Sequence, residues 1–268
     1  MPVALPQGTP DRAVADLLRR GFHSVVFQPI RRLDDDSIFG FEALMRGPAG
    51  TAIAEPGRIF CGSTINWKLL HQLDVACFLS AVRLGRLIGL PQTLFINMHG
   101  ETLLRYANGA DEVRRLLDLL GIAPSRVVIE LSEMTDRAHV RAIGRSLRPM
   151  RDIGMQLALD DVGARYAWLH HLLRLEPDFL KLDRSFVSGA ARSERRREMI
   201  VAMVAFARSS GAEMIAEGIE TENEYEVLRD AGIALGQGYF LGRPLAAQEW
   251  FAVDSAKPDQ ACVAGLME

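Results

Sequence analysis

Short runs rich in apolar and β-branched residues alternate along the chain with longer segments whose apolar positions recur at helical spacing. The short runs predict strands at Val25–Ile30, Phe39–Met45, Thr93–Met98, Val127–Leu131, Met155–Asp160, Phe179–Leu182, Glu213–Ala216 and around Gly238–Leu241. The longer segments predict helices at Leu69–Leu84, Asp111–Leu120, Val140–Ile153, Glu194–Ser209 and Glu222–Ala231. Alternation of this kind calls for a parallel sheet with its crossover helices packed outside. Eight strands in 268 residues predict an α/β fold, a TIM-like (β/α)8 barrel, in preference to an open sheet. One connection departs from the pattern. Only Arg31–Ile38, with Asp34-Asp35-Asp36-Ser37 at its centre, separates the first two strands, which is too short for a crossover helix. These strands should therefore form a hairpin, giving the barrel one antiparallel strand. No linker or repeat divides the sequence, so one domain is expected over 1–268. It would comprise an N-terminal helix over 11–20 closed by Gly21, a barrel over 24–250 and a tail over 251–268.

Composition narrows the class without changing the fold. Apolar residues make up 49% of the chain, enough for a large buried core. The formal net charge of −3 supplies no field to attract a nucleic-acid duplex or an anionic membrane, so any phosphate ligand needs a local cation. The longest apolar run, Met199–Ala207, is less than half a membrane span. Met1–Arg20 lacks the charge and apolar order of a signal peptide. Cys61, Cys77 and Cys262 fit neither a disulfide framework nor a zinc spacing, which suits a reducing, cytoplasmic setting.

The candidate chemistry lies at the strand ends. Glu42 and Arg46 lie on strand two, and Asn97 ends strand three. Glu130 and Glu133 lie at the end of strand four, Asp160-Asp161 end strand five, Lys181 and Asp183 end strand six, and Glu217 follows strand seven. In a barrel those ends converge on one rim, where active sites are built. Carboxylates gathered there cannot all ionise without cations, and a hard divalent metal with oxygen ligands is the natural counter-ion. The adjacent Asp160 and Asp161 suit a bridged metal pair of the kind that serves phosphoryl displacement. Each residue alone has a plainer reading: a solvated glutamate, an Asp helix cap, a salt-bridged lysine. Their recurrence at successive strand ends favours the site. Lys181 also admits a Schiff-base reading, but surrounding carboxylates would raise its pKa, and that chemistry needs it lowered. His170-His171 are expected to be solvated or capping, and Arg192–Glu198 to form an exposed first helical turn. Met199, Met203 and Phe206 read as a core stripe.

Taken together, these residues resemble the EAL family of cyclic di-GMP phosphodiesterases. The likeness runs from Phe27-Gln28-Pro29-Ile30 through Glu42-Ala43-Leu44, Glu130-Leu131-Ser132-Glu133, Asp160-Asp161, Lys181-Leu182-Asp183 and Ala216–Thr221 to Gln237-Gly238-Tyr239 and Gly242-Arg243-Pro244. The resemblance implies a barrel with one antiparallel strand and two bound ions, Mg²⁺ or Mn²⁺. Glu42, Asn97, Glu130 and Asp160 would hold the first, and Asp160, Asp161 and Glu217 the second. It further implies that Lys181 holds or deprotonates the attacking water, that Gln237 and Glu220 support the site, and that Gln28, Arg46 and Asp183 contact the ligand. The product would be linear pGpG, and a homodimer is the family habit.

One segment departs from the family. Where relatives read Phe-Gly-Thr-Gly-Tyr-Ser, this chain has Val162-Gly163-Ala164-Arg165-Tyr166-Ala167, which loses two hydroxyls and a glycine. Glu133, the loop's anchor in relatives, is kept. Two functions follow. Retention of every ligand position favours a working phosphodiesterase. The altered loop favours a receptor that binds cyclic di-GMP and signals through a protein partner.

Overall fold

The computed structural model describes residues 10–21, 24–47, 66–87, 92–105, 109–132, 139–163 and 168–250. Eight strands close into a barrel: β1 Ser24–Arg32, β2 Ile38–Arg46, β3 Thr93–Asn97, β4 Val127–Ser132, β5 Gln156–Val162, β6 Phe179–Leu182, β7 Glu213–Ala216 and β8 Leu235–Gly236. Neighbours from β2 to β8 run parallel. Strand β1 closes the ring antiparallel to both β2 and β8. A ninth strand, β9 Leu245–Ala246, pairs with β1 outside the ring, where the Trp250 indole donates to the Phe27 carbonyl at 2.7 Å. The predicted hairpin is thus the reversed strand, turning through Asp36 with φ of 58°.

Side chains alternate between the two faces of each strand, so a residue facing into the barrel is matched by the residue two further along. The inward positions of one layer are apolar: Ile30, Phe95, Val128, Ala158, Phe179, Ile215 and Leu235, with Phe39 packed against them. Phe95 and Phe179 meet edge-on at 5.2 Å, an arrangement favoured by the ring quadrupoles. Burial of each such side chain contributes roughly 1.5–3 kcal/mol. Gly40 makes room at this level, because a Cβ there would lie 2.5 Å from the Thr93 carbonyl oxygen and 3.2 Å from the Phe95 ring. Two residues on, the inward positions are Asn97, Glu130, Asp160, Lys181, Glu217 and Gln237. On reversed β1 the matching residue, Gln28, comes two before Ile30. An apolar plug therefore supports a polar layer at the parallel strands' C-terminal rim. Outward-facing residues such as Leu94, Ile96, Ile129, Leu157, Leu180 and Met214 pack against the surrounding helices.

The helices at Trp67–Leu87, Ala110–Leu120, Val140–Asp152, Glu194–Ser209 and Glu222–Asp230 match the periodic segments within three residues at each end. Three short helices, Gly100–Arg105, Trp168–Leu175 and Arg184–Val187, give no periodic signal of useful length. The eighth strand is not Gly238–Leu241. That segment is a turn, and Leu235–Gly236 supplies the rung. The reason is contact: a Cβ on Gly238 would lie 2.1 Å from the Ile219 carbonyl oxygen, so the chain folds over Ile219 there and leaves the ladder.

Two further expectations change. Met203 is buried, but Met199 and Phe206 are 49% and 36% exposed, because the helix turns Ile200, Met203, Val204 and Ala207 inward. His171 is buried, not solvated, and the His170 side chain lies outside the described residues. The Arg192–Glu198 run does form an exposed helix start, capped by Ser193. No helix among the described residues is long and apolar enough to cross a membrane.

Candidate active site

The polar layer centres on Lys181, whose side chain is 1% exposed. Its Nζ lies 2.8 Å from Glu217 Oε1, 2.9 Å from Glu130 Oε1, 3.3 Å from Asp160 Oδ1 and 3.4 Å from Glu42 Oε2. Amides complete the wall. Asn97 Nδ2 donates to Glu42 Oε1 at 2.7 Å, and Gln237 Nε2 donates to Glu42 Oε2 at 2.7 Å and Gln28 Oε1 at 3.1 Å. The register explains part of this convergence. Gln28 pairs with Glu42 across β1 and β2, and Asn97 with Glu130 across β3 and β4.

Asp161 needs a separate explanation, because in a regular strand it would face away from Asp160. The β5–β6 ladder slips between Leu159 and Val162, where three steps on β5 span two on β6. A bulge of this kind re-aims side chains, and Asp161 adopts a left-handed φ of 56° within it. Carboxylate oxygens of Asp160, Asp161 and Glu217 consequently come within 4.8 Å of one another. Adjacent aspartates at a strand end were visible in the sequence; the bulge that makes both usable was not.

One ammonium cannot balance so many acids in a dry site. Burial works against the Lys181 charge, but Asp160, Glu130, Glu217 and Glu42 outweigh it and hold its pKa well above the usual lysine value. Burial, then Glu42, holds Glu130 well above the carboxylate range. Burial pushes Glu217 up to about 8 against the pull of Lys181. Burial and then Asp160 push Asp161 up to about 6. Glu42 goes the other way: burial opposes its ionisation, yet Lys181, Gln237 and Asn97 together hold its pKa below the usual value. A firmly protonated Lys181 argues against the Schiff-base reading, which needs a neutral amine.

The arrangement fits divalent cations. The donors are carboxylate and amide oxygens, the set that Mg²⁺ and Mn²⁺ take. Glu130 Oε2 and Gln237 Oε1 are buried acceptors without a hydrogen-bond partner, a costly condition that a cation would relieve.

The remaining predicted residues surround this cluster without joining it. Asp183 Oδ1 accepts from Ser185 N at 3.0 Å, capping the short helix Arg184–Val187, and its charge contributes to the rise of Asp161. Glu220 pairs with Arg184 at 2.8 Å instead of touching the carboxylates. Arg46 ends β2, with Nη1 donating to the Met45 carbonyl at 3.0 Å. Glu133 and residues 164–167 lie outside the described residues.

A closed (β/α)8 barrel with one antiparallel strand and an acidic, lysine-centred rim defines the class. The chain belongs to the EAL domain family, whose model matches residues 11–244. It is 33% identical over 232 residues to the cyclic di-GMP phosphodiesterase NbdA of Pseudomonas aeruginosa, covering 84% of this chain and 29% of that protein. It therefore spans less than a third of that relative's length. Among solved structures, the PaMucR phosphodiesterase–c-di-GMP complex is 28% identical with a TM-score of 0.76, covering 89% of this chain and 99% of that one. The Klebsiella pneumoniae BlrP1 complex with manganese and cy-diGMP at pH 9.0 is 28% identical with a TM-score of 0.74, covering 92% of this chain and 60% of that one.

Proposed function

We propose that this chain is a divalent-metal-dependent phosphodiesterase that opens cyclic di-GMP to linear pGpG. The observation that carries the reading is the meeting of Glu42, Glu130, Asp160 and Glu217 around Lys181 at the barrel rim. Glu42, Asn97, Glu130 and Asp160 would hold one Mg²⁺ or Mn²⁺, and Asp160, Asp161 and Glu217 a second. Such ions, when bound, lower the pKa of water and offset charge on phosphoryl oxygens.

The chain's own residues position the reaction. Lys181, kept protonated, donates N–H bonds that orient the attacking water; its raised pKa suits it to that role and not to proton abstraction. Gln237 and Asn97 pin both oxygens of Glu42, so this carboxylate presents a fixed face. Arg46 can grip a phosphate through two parallel N–H bonds, and Gln28 and Asp183 would contact the ligand. Glu220 supports the Glu217 turn through Arg184. Water adds to one phosphorus, the P–O3′ bond breaks, and the leaving 3′-oxygen takes up a proton. The barrel would carry out this chemistry in the cytoplasm, alone or as a homodimer.

The test is a time course of purified protein with cyclic di-GMP and Mg²⁺ or Mn²⁺, resolving substrate from pGpG by chromatography. Metal-dependent pGpG is expected. Tight binding without product would replace the enzyme reading with a receptor, and neither binding nor product would refute both.

A further inference from the structure

We infer that Asp74, on the helix Trp67–Leu87, is a positioning residue for the rim segment that carries Asn97, and through it for the divalent cation proposed above. The inference rests on that metal reading. Asp74 is 4% exposed and follows Leu73, which is wholly buried. A carboxylate on the core face of a helix is unfavourable unless hydrogen bonds satisfy it.

The donors that satisfy it come from one short stretch. His99 N donates to Oδ2 at 3.1 Å, the Thr102 hydroxyl donates to Oδ2 at 2.6 Å, and His99 Nδ1 lies 2.9 Å from Oδ1. All three lie within the five residues that follow Asn97.

Asn97 is thereby held from both sides. On one side Met98 N donates to the Glu130 carbonyl at 2.9 Å and Asn97 Nδ2 donates to Glu42 Oε1 at 2.7 Å. On the other the chain leaves β3, turns at His99 and enters the helix Gly100–Arg105, whose first bonds run from Thr102 and Leu103 N to the His99 carbonyl. Asp74 fastens that turn to a neighbouring helix. Its hydrogen bonds run to His99 and Thr102 and not to the Lys181 cluster, so it acts through the segment that carries Asn97. An apolar residue would fill the same space; a carboxylate bonded to one turn fixes that turn's orientation as well. Outer partners of this kind typically change metal affinity by about 10–100-fold.

The experiment measures Mn²⁺ binding to the full chain by the EPR signal of free Mn²⁺, with circular dichroism confirming the fold and its Tm. Asp74→Asn keeps the shape but loses acceptors, and Thr102→Val removes one donor while leaving Asp74 its bonds to His99. Both are expected to raise the Mn²⁺ Kd, Asp74→Asn by about tenfold, whereas Thr102→Ser, which keeps the hydroxyl, restores wild-type affinity. Ile200→Ala, a core truncation in the helix Glu194–Ser209, should lower Tm and leave Kd unchanged. Wild-type affinity in both Asp74→Asn and Thr102→Val would overturn the inference. So would an equal loss of affinity in Ile200→Ala, which would mark the effect as general destabilisation. A wild-type protein that binds no Mn²⁺ would overturn the metal reading itself.

Discussion

Replacing Lys181 with Met removes the one ammonium that Glu42, Glu130, Asp160 and Glu217 share, while keeping most of the side chain's volume. Lys181 and Glu42 are buried, and Glu42, whose pKa Lys181 helps hold below the usual value, lies 3.4 Å from the ammonium and loses that partner. Stripping a buried charge of its partner costs about 3–5 kcal/mol, against a domain stability of roughly 5–15 kcal/mol. In a chain of this size each kcal/mol shifts Tm by about 2–4 °C, so a loss near 10 °C is expected in EDTA at pH 7.5. The deficit should depend on pH in a defined direction. Without Lys181 the folded-state pKa values of Glu42, Glu130 and Glu217 all rise, so the native state keeps protons that the unfolded chain releases above its ordinary carboxylate pKa. Stability then falls as pH rises through that gap. At pH 5 Glu130 and Glu217 hold their protons, Glu42 can take one up once Lys181 is gone, and the deficit should be smaller. Saturating Mn²⁺ should narrow it at pH 7.5 by supplying the missing positive charge. Urea and thermal unfolding of both proteins at pH 5.0 and 7.5, with EDTA or Mn²⁺, give every quantity needed. A deficit below about 1 kcal/mol at pH 7.5, the size of an exposed ion pair, or one equally large at pH 5.0, would refute the reasoning.

Other outcomes follow from the same site. Glu42→Ala or Asp160→Ala should abolish pGpG formation; near-normal turnover by either would sink the metal assignment. Glu217 has its folded pKa raised from 4.5 to about 8, so its favourable contribution is present below the unfolded value and lost as pH rises toward 8. Metal-free wild type should therefore lose about 2–3 kcal/mol relative to Glu217→Gln between pH 5 and 7.5, a figure reduced for the 19% of that side chain meeting solvent. Parallel Tm curves for the two proteins would contradict the shift. Restoring Thr at Ala164 and Gly at Arg165 should raise turnover; an unchanged rate would mean that the loop does not limit it.

Most of the barrel was legible because strands and helices carry different periods, and the reversed strand because eight residues cannot hold a crossover helix. The eighth strand failed for a local reason. Tyr239 and Phe240 look like strand residues, but the close approach of Gly238 to Ile219 turns them out to 52% and 45% exposure. Rim residues were readable where an apolar run ended in a polar residue, as at Asn97, Lys181 and Glu217. Asp74 was not, because it lies mid-helix and its donors come from a segment with no strand or long-helix signal. Nothing local tells such an acid from a solvated one.

Gln28 shows why strand direction matters to the chemistry. On the parallel strands the chain climbs from the apolar plug to the rim, so the functional residue follows the apolar one. On β1 it descends, and Gln28 precedes Ile30. A search confined to strand C-termini passes over it, and only the family resemblance singled it out. The reversal also limits charge. Gln28 stands beside Glu42, accepting from Gln237 at 3.1 Å and donating to the Gly242 carbonyl at 3.2 Å. An acid there would add another carboxylate to a cluster served by one lysine, and would lose the donor that binds Gly242. The amide gives β1 a neutral wall that bridges β2 and the segment after β8, closing the ring on the side where Glu42 must be held still.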